Sequence, residues 1–326
     1  MKTPPFDITV KMVNLVSEIS ELIGGLTVTN NLSSNPSLRK TNRIKTIHGS
    51  LAIEQNSLTL DQVTAVLNGK TVLAPPRDIK EVKNAYEIYD RINELDPYDV
   101  DDLLTAHGIL TDGLQEESGC FRSGTVGVVD SDGRILHFGT LPQYIPDLVF
   151  ALLEWVKDSE IHMLIKSAVF HYEFELIHPF SDGNGRIGRL WHTLLLSTWN
   201  PMFAWLPIES MIYKKQGEYY QAINESNNIG KSTVFIEFML STIKDALLEA
   251  LSVVNEETVR PIGKNEIRWR LIEDFLKTNA VIMNSDVRNI CGVSSATASR
   301  ILVELKESGR LIRCHEKGHW VYRLNM

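Results

Sequence analysis

The chain has 326 residues, of which 43% are apolar and 23% charged, so a sizeable core is available and global disorder is excluded. No apolar run approaches the roughly 20 residues that a membrane span needs. The opening Met1-Lys2-Thr3-Pro4-Pro5-Phe6-Asp7 lacks the basic-then-apolar layout of a secretory leader. Three cysteines, Cys120, Cys291 and Cys314, are odd in number and far apart, which argues against a disulfide framework and points to a reduced, cytoplasmic protein of two domains. The net charge of −8 is uneven, +5 from Arg260 onward and −13 over the rest, so an acidic body with a basic tail suggests two modules with different partners.

Taken in chain order, the first two-thirds read as mostly helical. Leu38 to His48 continues into Ser50–Glu54 with Ile44, Ile47 and Leu51 at helical spacing. Thr59 followed by Gln62 is a capping box, opening a helix expected to stop near Asn68-Gly69. Pro75-Pro76 breaks the chain, and Ile79 to Ile92 is helical again. Two β-rich runs, Thr125–Val129 and Arg134–Phe138, flank Asp130-Ser131-Asp132-Gly133 and predict a hairpin. Helical periodicity resumes at Ile145 and persists to about Val254, after which a polar stretch with Pro261 and Gly263 reads as a linker over 254–264. Beyond it come helical patterns at Ile267–Leu276, Ser285–Ile290 (capped by Asn284 or Ser285) and from Ser294-Ser295 to Ser308. Strand-like runs at Leu311–Arg313 and Trp320–Leu324 follow.

The stretch richest in chemistry is His178-Pro-Phe-Ser-Asp-Gly-Asn-Gly-Arg-Ile-Gly-Arg189. A helical run, Ile161 to about Leu176, precedes it, and Ile187, Leu190, Trp191, Leu194 and Leu195 continue it at helical spacing. It is a tight loop passed from one helix into the N-terminus of the next. Gly183 and Gly185 let the backbone turn and bare its N–H groups, to which the helix adds its positive end. Arg186 and Arg189 are i, i+3 neighbours, read here as projecting away from the Ile187/Leu190/Leu194 stripe. Two guanidiniums and a glycine nest suit a polyphosphate. Asp182 offers a hard oxygen for Mg²⁺, and His178, with an ordinary pKa of about 6.5, suits a general base.

Every specified position of this stretch resembles the signature of Fic-domain proteins, His-Pro-Phe-x-Asp/Glu-Gly-Asn-Gly-Arg-x-x-Arg. The resemblance implies a mainly α fold, a Fic-type helical bundle with a β-hairpin flap, while the three helices and two strands of the tail resemble a small α+β winged-helix domain. It implies transfer of AMP from ATP to a Ser, Thr or Tyr hydroxyl of a target protein, with self-modification as well, using Mg²⁺ or Mn²⁺. By position, His178 would deprotonate the target, Asp182 would hold the metal between the α- and β-phosphates, Gly183, Asn184 and Gly185 would cradle phosphate, and Arg186 and Arg189 would grip the β- and γ-groups. The hairpin over 121–142, with Thr125, Val126, Gly127 and Val128, resembles the flap that pins a target segment. Gly217-Glu-Tyr219-Tyr220 with Asn227 resembles the segment lining the adenine pocket.

Ser50-Leu-Ala-Ile-Glu54-Gln55-Asn56 resembles the family's inhibitory helix, Ser/Thr-x-x-x-Glu-Gly/Asn, in its N-terminal subclass. The resemblance implies that Glu54 pairs with Arg189 in the γ-phosphate's place. Gln55 departs from the pattern, standing where Gly or Asn is usual. The implied organisation is a helical region over 1–110 with the inhibitory helix at about 38–56, a catalytic core over 111–253, the linker, and a winged helix-turn-helix over 265–326.

In that tail Val293, Ala296, Ile301, Leu302 and Leu305 are the expected buried face of a recognition helix. Ser295, Thr297, Ser299 and Arg300 would meet a DNA groove, and Lys317 a phosphate. A protein-interaction or dimerisation module of the same shape is the competing reading, and a homodimer fits either. Cys314, His315 and His319 cluster in the expected wing, a set that seldom binds zinc. Rival functions for the whole chain are removal of AMP from a modified protein at the same site, a winged-helix DNA-binding regulator whose Fic-like body senses nucleotide, and phosphoryl or phosphocholine transfer.

Overall fold

The structure, a computed structural model, describes residues 3–29, 35–129, 135–259, 264–316 and 319–325. The chain divides into two compact units, Met1–Ser252 and Val253–Met326.

Among the described residues, the regular structure of the first unit is helical apart from one hairpin. Helix α1 (Val10–Thr29) buries Met12, Leu15, Ile19, Ile23 and Leu26, a three-and-four spacing that gives one apolar face. Helix α2 (Pro36–Ile53) starts under the side chain of Asn35, which accepts the N–H groups of Ser37 and Leu38, and buries Ile44, Ile47 and Leu51 as the periodicity requires. The Thr59–Gln62 capping box forms in both directions and opens α3 (Leu60–Leu67). After Pro75 come α4 (Pro76–Asp90) and α5 (Val100–Thr111).

The hairpin pairs β1 (Gly127–Val129) with β2 (Ile135–Phe138) in antiparallel register, with Gly127 opposite Phe138 and Val128 opposite His137. Strand β1 starts two residues later than the run Thr125–Val129 that predicted it, and Arg134, the first residue of the second run, lies outside the described residues. The expected turn, Asp130–Gly133, lies outside the described residues.

Helices α6 (Ile145–Asp158), α7 (Met163–Ile177) and α8 (Asn184–Trp199) follow. Both α7 and α8 are buried on nearly every side, as helices at the centre of a bundle must be. Their apolar residues, Phe170, Phe174, Ile187, Leu190 and Trp191 among them, join side chains of α2, α4, α5 and α6 in one core. Helices α9 (Ile208–Lys214) and α10 (Gln216–Ile229), with α11 (Thr233–Val259) as far as Ser252, close the unit. A Cβ on Gly49 of α2 would stand 2.6 Å from the Ser210 nitrogen and 2.8 Å from the Glu209 carbonyl oxygen, so glycine is what lets α2 rest on the backbone of α9.

Helix α11 runs to Val259, six residues into the segment read as a linker. Polarity alone does not stop a helix, and the first breaker after Val254 is Pro261, which lies outside the described residues.

The second unit has three helices, α12 (Lys264–Thr278), α13 (Asn284–Cys291) and α14 (Ser295–Glu307), and an antiparallel pair, β3 (Leu311–Glu316) with β4 (His319–Leu324). Its core gathers Trp269, Ile272, Val287, Ala298, Ile301, Leu302, Leu305, Leu311 and Tyr322. Ala296 is exposed and Ala298 takes its expected place, because only Ala298 is in phase with Ile301, Leu302 and Leu305. Neither Asn284 nor Ser285 caps α13. Asp286 accepts the Met283 N–H instead, and the Asn284 side chain bonds Ser295 and Ser299. Lys317 lies outside the described residues. Among the described residues no helix is long and apolar enough to cross a membrane, and no group of His, Cys, Asp or Glu is arranged to hold a metal by itself.

Candidate active site

Helix α7 ends at His178, whose backbone is left-handed at φ 53. Its N–H still donates to Phe174, closing the last turn, so the imidazole leaves the helix at the mouth of the loop. Nδ1 lies 3.3 Å from the Glu175 carbonyl oxygen. A carbonyl only accepts, so that contact assigns the ring proton to Nδ1 and makes Nε2 the basic nitrogen.

The loop is held from within and from below. Asn184 clamps Phe180 both ways, accepting its N–H at 2.9 Å and donating to its carbonyl at 2.8 Å. This spends the Asn184 side chain on the loop itself and leaves backbone N–H groups at the start of α8 to face an anion. Gly183 takes φ 90, packed against Thr111 and His107. His107 stacks flat on Phe180 with ring centroids 3.7 Å apart. Its Nδ1 accepts the Gly119 N–H, so Nε2 carries the proton that reaches the Asp182 carbonyl oxygen at 2.9 Å. Burial lowers the His107 pKa to about 4, so the ring under the loop is neutral.

The arginines are buried, not on a solvent-facing side, because α8 is enclosed all round. The side chain of Arg186 is 4% exposed, 2.9 Å from Asp182 and 3.6 Å from Glu81. Asp182 is 42% exposed, and its second oxygen faces Arg77 at 3.2 Å. Glu81 also accepts from Asn56, just past α2. The side chain of Arg189 is 1% exposed, and its Nη2 donates to Glu54 Oε1 at 2.8 Å and to the Ser50 carbonyl at 2.9 Å, while Nε reaches Ser50 Oγ at 3.3 Å. Burial lowers the Arg189 pKa, but Glu54, Tyr219 and Glu175 together outweigh it and the guanidinium titrates above its ordinary range. A Cβ on Gly185 would overlap the same Glu54 oxygen, so the carboxylate rests on the N-terminal turn of α8.

Gln55 takes φ 65, which explains why Gly or Asn is the usual residue there: the helix ends in a left-handed step. The adjacent tyrosines separate. Tyr220 is half-exposed, with its hydroxyl 3.4 Å from the Ile53 carbonyl, whereas Tyr219 is buried and bonds His171 within an aromatic cluster. Asn227 accepts from the Tyr172 hydroxyl at 2.7 Å. Between these groups, Glu175 Oε1 is buried with no hydrogen-bond partner among the described residues, and burial pushes its carboxyl up to about 8.

Sequence reasoning passed over Arg77, Glu81 and His107, and also Gln216, which donates to the Ile53 carbonyl, and the side chain of Arg122, which donates to the His178 carbonyl. Each meets the site across a long stretch of chain, and none sits in a spacing pattern that marks it.

Residues 97–196 match the sequence profile described as the Fic/DOC family. A crystal structure of a Fic family protein from Desulfovibrio desulfuricans G20 is similar at 39% identity, with 99% of this chain and 98% of that chain covered and a TM-score of 0.77. The chain belongs to the Fic family. Curated relatives of this Fic protein include protein adenylyltransferase fic-1 of Caenorhabditis elegans, 28% identical over 59% of this chain, and protein adenylyltransferase Fic of Nematostella vectensis, 29% identical over 68%. The chain spans only 38% and 51% of the length of those two relatives. A probable protein adenylyltransferase of Aquifex aeolicus (strain VF5) is 28% identical, with 83% of this chain and 82% of that protein covered.

Proposed function

We propose that this Fic protein transfers AMP from ATP to a Ser, Thr or Tyr hydroxyl of a target protein and of itself, and that Glu54 restrains it. The observation that carries this reading is the convergence of His178, with Nε2 basic, on the same helix N-terminus as two buried arginines. In the proposed reaction His178 Nε2 removes the hydroxyl proton. The target oxygen attacks the α-phosphorus as the bond to the β-phosphate breaks, and pyrophosphate leaves. Backbone N–H groups from Gly183 to Gly185, with Arg186 and Arg189, hold the chain of phosphates, so positioning and charge neutralisation supply most of the acceleration.

Asp182 fits a divalent cation such as Mg²⁺ or Mn²⁺. The Asp182 side chain is 42% exposed, and its Oδ2 faces the exposed Arg77 at 3.2 Å. When bound, the ion would neutralise phosphate charge. The hairpin beside His178 is suited to pin the target segment by strand pairing. In this reading Tyr219, Tyr220 and Asn227 line the adenine pocket, Tyr220 with its half-exposed ring and Asn227 through the side chain that accepts from Tyr172.

The Glu54 carboxylate on Gly185 favours a second reading, in which the same group aligns water for removal of AMP. For the second unit, the order of three helices and a hairpin supports a winged helix-turn-helix. Its basic balance and the exposed Trp320, with Arg313 stacked 4.0 Å above the ring, support contact with DNA.

Label transfer from α-³²P-ATP tests the primary reading, using wild type, Glu54→Gly and His178→Ala with a cell lysate. Label should rise with Glu54→Gly and vanish with His178→Ala. Binding of ATP with no label in any lane would replace this reading with AMP removal or nucleotide sensing.

A further inference from the structure

Arg122 stands where the chain enters the hairpin, and it is 2% exposed. Its N–H donates to the Pro179 carbonyl at 3.0 Å. The guanidinium spreads over carbonyls of three separate segments: Nε to His178 at 2.7 Å, Nη1 to Gly124 at 2.6 Å, and Nη2 to Thr140. Gly124 is on the ascending arm of the hairpin, Thr140 on the descending arm, and His178 carries the base. The arms are also tied to each other and to α7, by Gly139 N–H to Val126 at 3.0 Å and Thr140 N–H to Ile177 at 3.2 Å. Gly139 leaves room for this arrangement. A Cβ there would stand 2.7 Å from Arg122 Nη2, 2.9 Å from Val126 Cγ2 and 3.3 Å from the His178 Cβ.

We propose that Arg122 is a positioning residue for the general base, locking His178 and both arms of the hairpin into one body. The left-handed backbone of His178 is disfavoured for a residue with a Cβ, so something must over-determine it. A hydrogen bond to its own carbonyl oxygen does so directly. The same planar fork fixes the flap, so the register of a target strand and the direction of the imidazole are set together. Lysine cannot substitute, because an ammonium on a flexible stem does not span three carbonyls in one plane. The inference rests on the AMP-transfer reading for its kinetic effect, but not for its effect on the imidazole.

The test uses Arg122→Lys and Gly139→Ala, each in the full chain on the Glu54→Gly background. Misplacing the base should lower kcat for AMP transfer about 100-fold with ATP affinity unchanged. The KM for the target should rise with it. In ¹⁵N-histidine NMR spectra of the nucleotide-free protein, His178 should lose its single Nδ1–H tautomer. Added guanidinium should restore part of the rate to Arg122→Ala. Retention of kcat and of the tautomer in a folded variant would overturn the proposal, as would a fall in kcat matched by an equal fall in ATP affinity. If the Glu54→Gly parent transfers no label, the AMP-transfer reading has failed by itself, and the tautomer still decides the role of Arg122.

Discussion

Glu54 reaches Arg189 across 135 residues of chain, and the 2.8 Å bond between them satisfies a guanidinium that is otherwise enclosed by the protein. Breaking it leaves Arg189 the Ser50 contacts and an unfilled demand for negative charge. On the proposed reading a terminal phosphate would meet that demand. The Glu54→Gly variant should therefore bind ATP at least tenfold more tightly than wild type, about 1.4 kcal/mol, while ADP affinity changes less than about threefold. Isothermal titration calorimetry with both nucleotides checks this. Equal gains for ATP and ADP would show that Glu54 does not stand in the γ-phosphate's place.

Gln216 Nε2 donates to the Ile53 carbonyl at 2.9 Å, one residue before Glu54. That contact holds the last turn of α2 against α10. Gln216→Ala should loosen the carboxylate and raise AMP transfer several-fold, less than Glu54→Gly does. The double variant should match Glu54→Gly alone, because both changes act through one contact. Additive gains in the label-transfer assay would place Gln216 in some other role.

Gln55 adopts a left-handed conformation that costs a residue with a Cβ about 1 kcal/mol relative to glycine. Gln55→Gly should raise stability by about 0.5–1 kcal/mol, read from the midpoint of urea unfolding. Transfer activity should not increase, since the end of α2, and Glu54 with it, becomes firmer. A destabilised Gln55→Gly protein would mean that the glutamine side chain makes a contact worth more than the strain.

His107 has its pKa lowered by burial to about 4, from an ordinary 6.5. Between those values the unfolded chain binds a proton that the folded chain does not. The stability owed to His107 is therefore present above about pH 6.5 and is lost as the pH falls toward about 4. From about pH 7.5 to about pH 5 wild type should lose roughly 2 kcal/mol through this residue. His107→Asn, which does not titrate, should show a shallower dependence on pH. Parallel unfolding curves for the two proteins at both pH values would exclude the effect.

The mainly α class, the loop between two helices and several helix ends were legible in the chain alone. The Thr59–Gln62 box, the Ser294 cap of α14 and the stop at Gly309 each depend on groups within one turn of each other, so composition and spacing are sufficient. The pairing of Glu54 with Arg189 was expected from a family resemblance and not from the residues themselves.

Tertiary structure decided the rest. Tyr219 and Tyr220 are neighbours in the chain, yet a rotation of about 100° per residue sends one into the core and leaves the other beside Ile53. Arg186 and Arg189 look solvent-facing on a lone helix and are enclosed once α2, α4 and α7 pack around α8. Arg122 meets His178 across 56 residues and His107 meets Asp182 across 75. Local hydrogen bonds act over a single turn, so what they fix can be read from the order of residues. Which polar groups end up facing one another inside the bundle is settled by packing, because burial leaves each of them with no solvent to turn to.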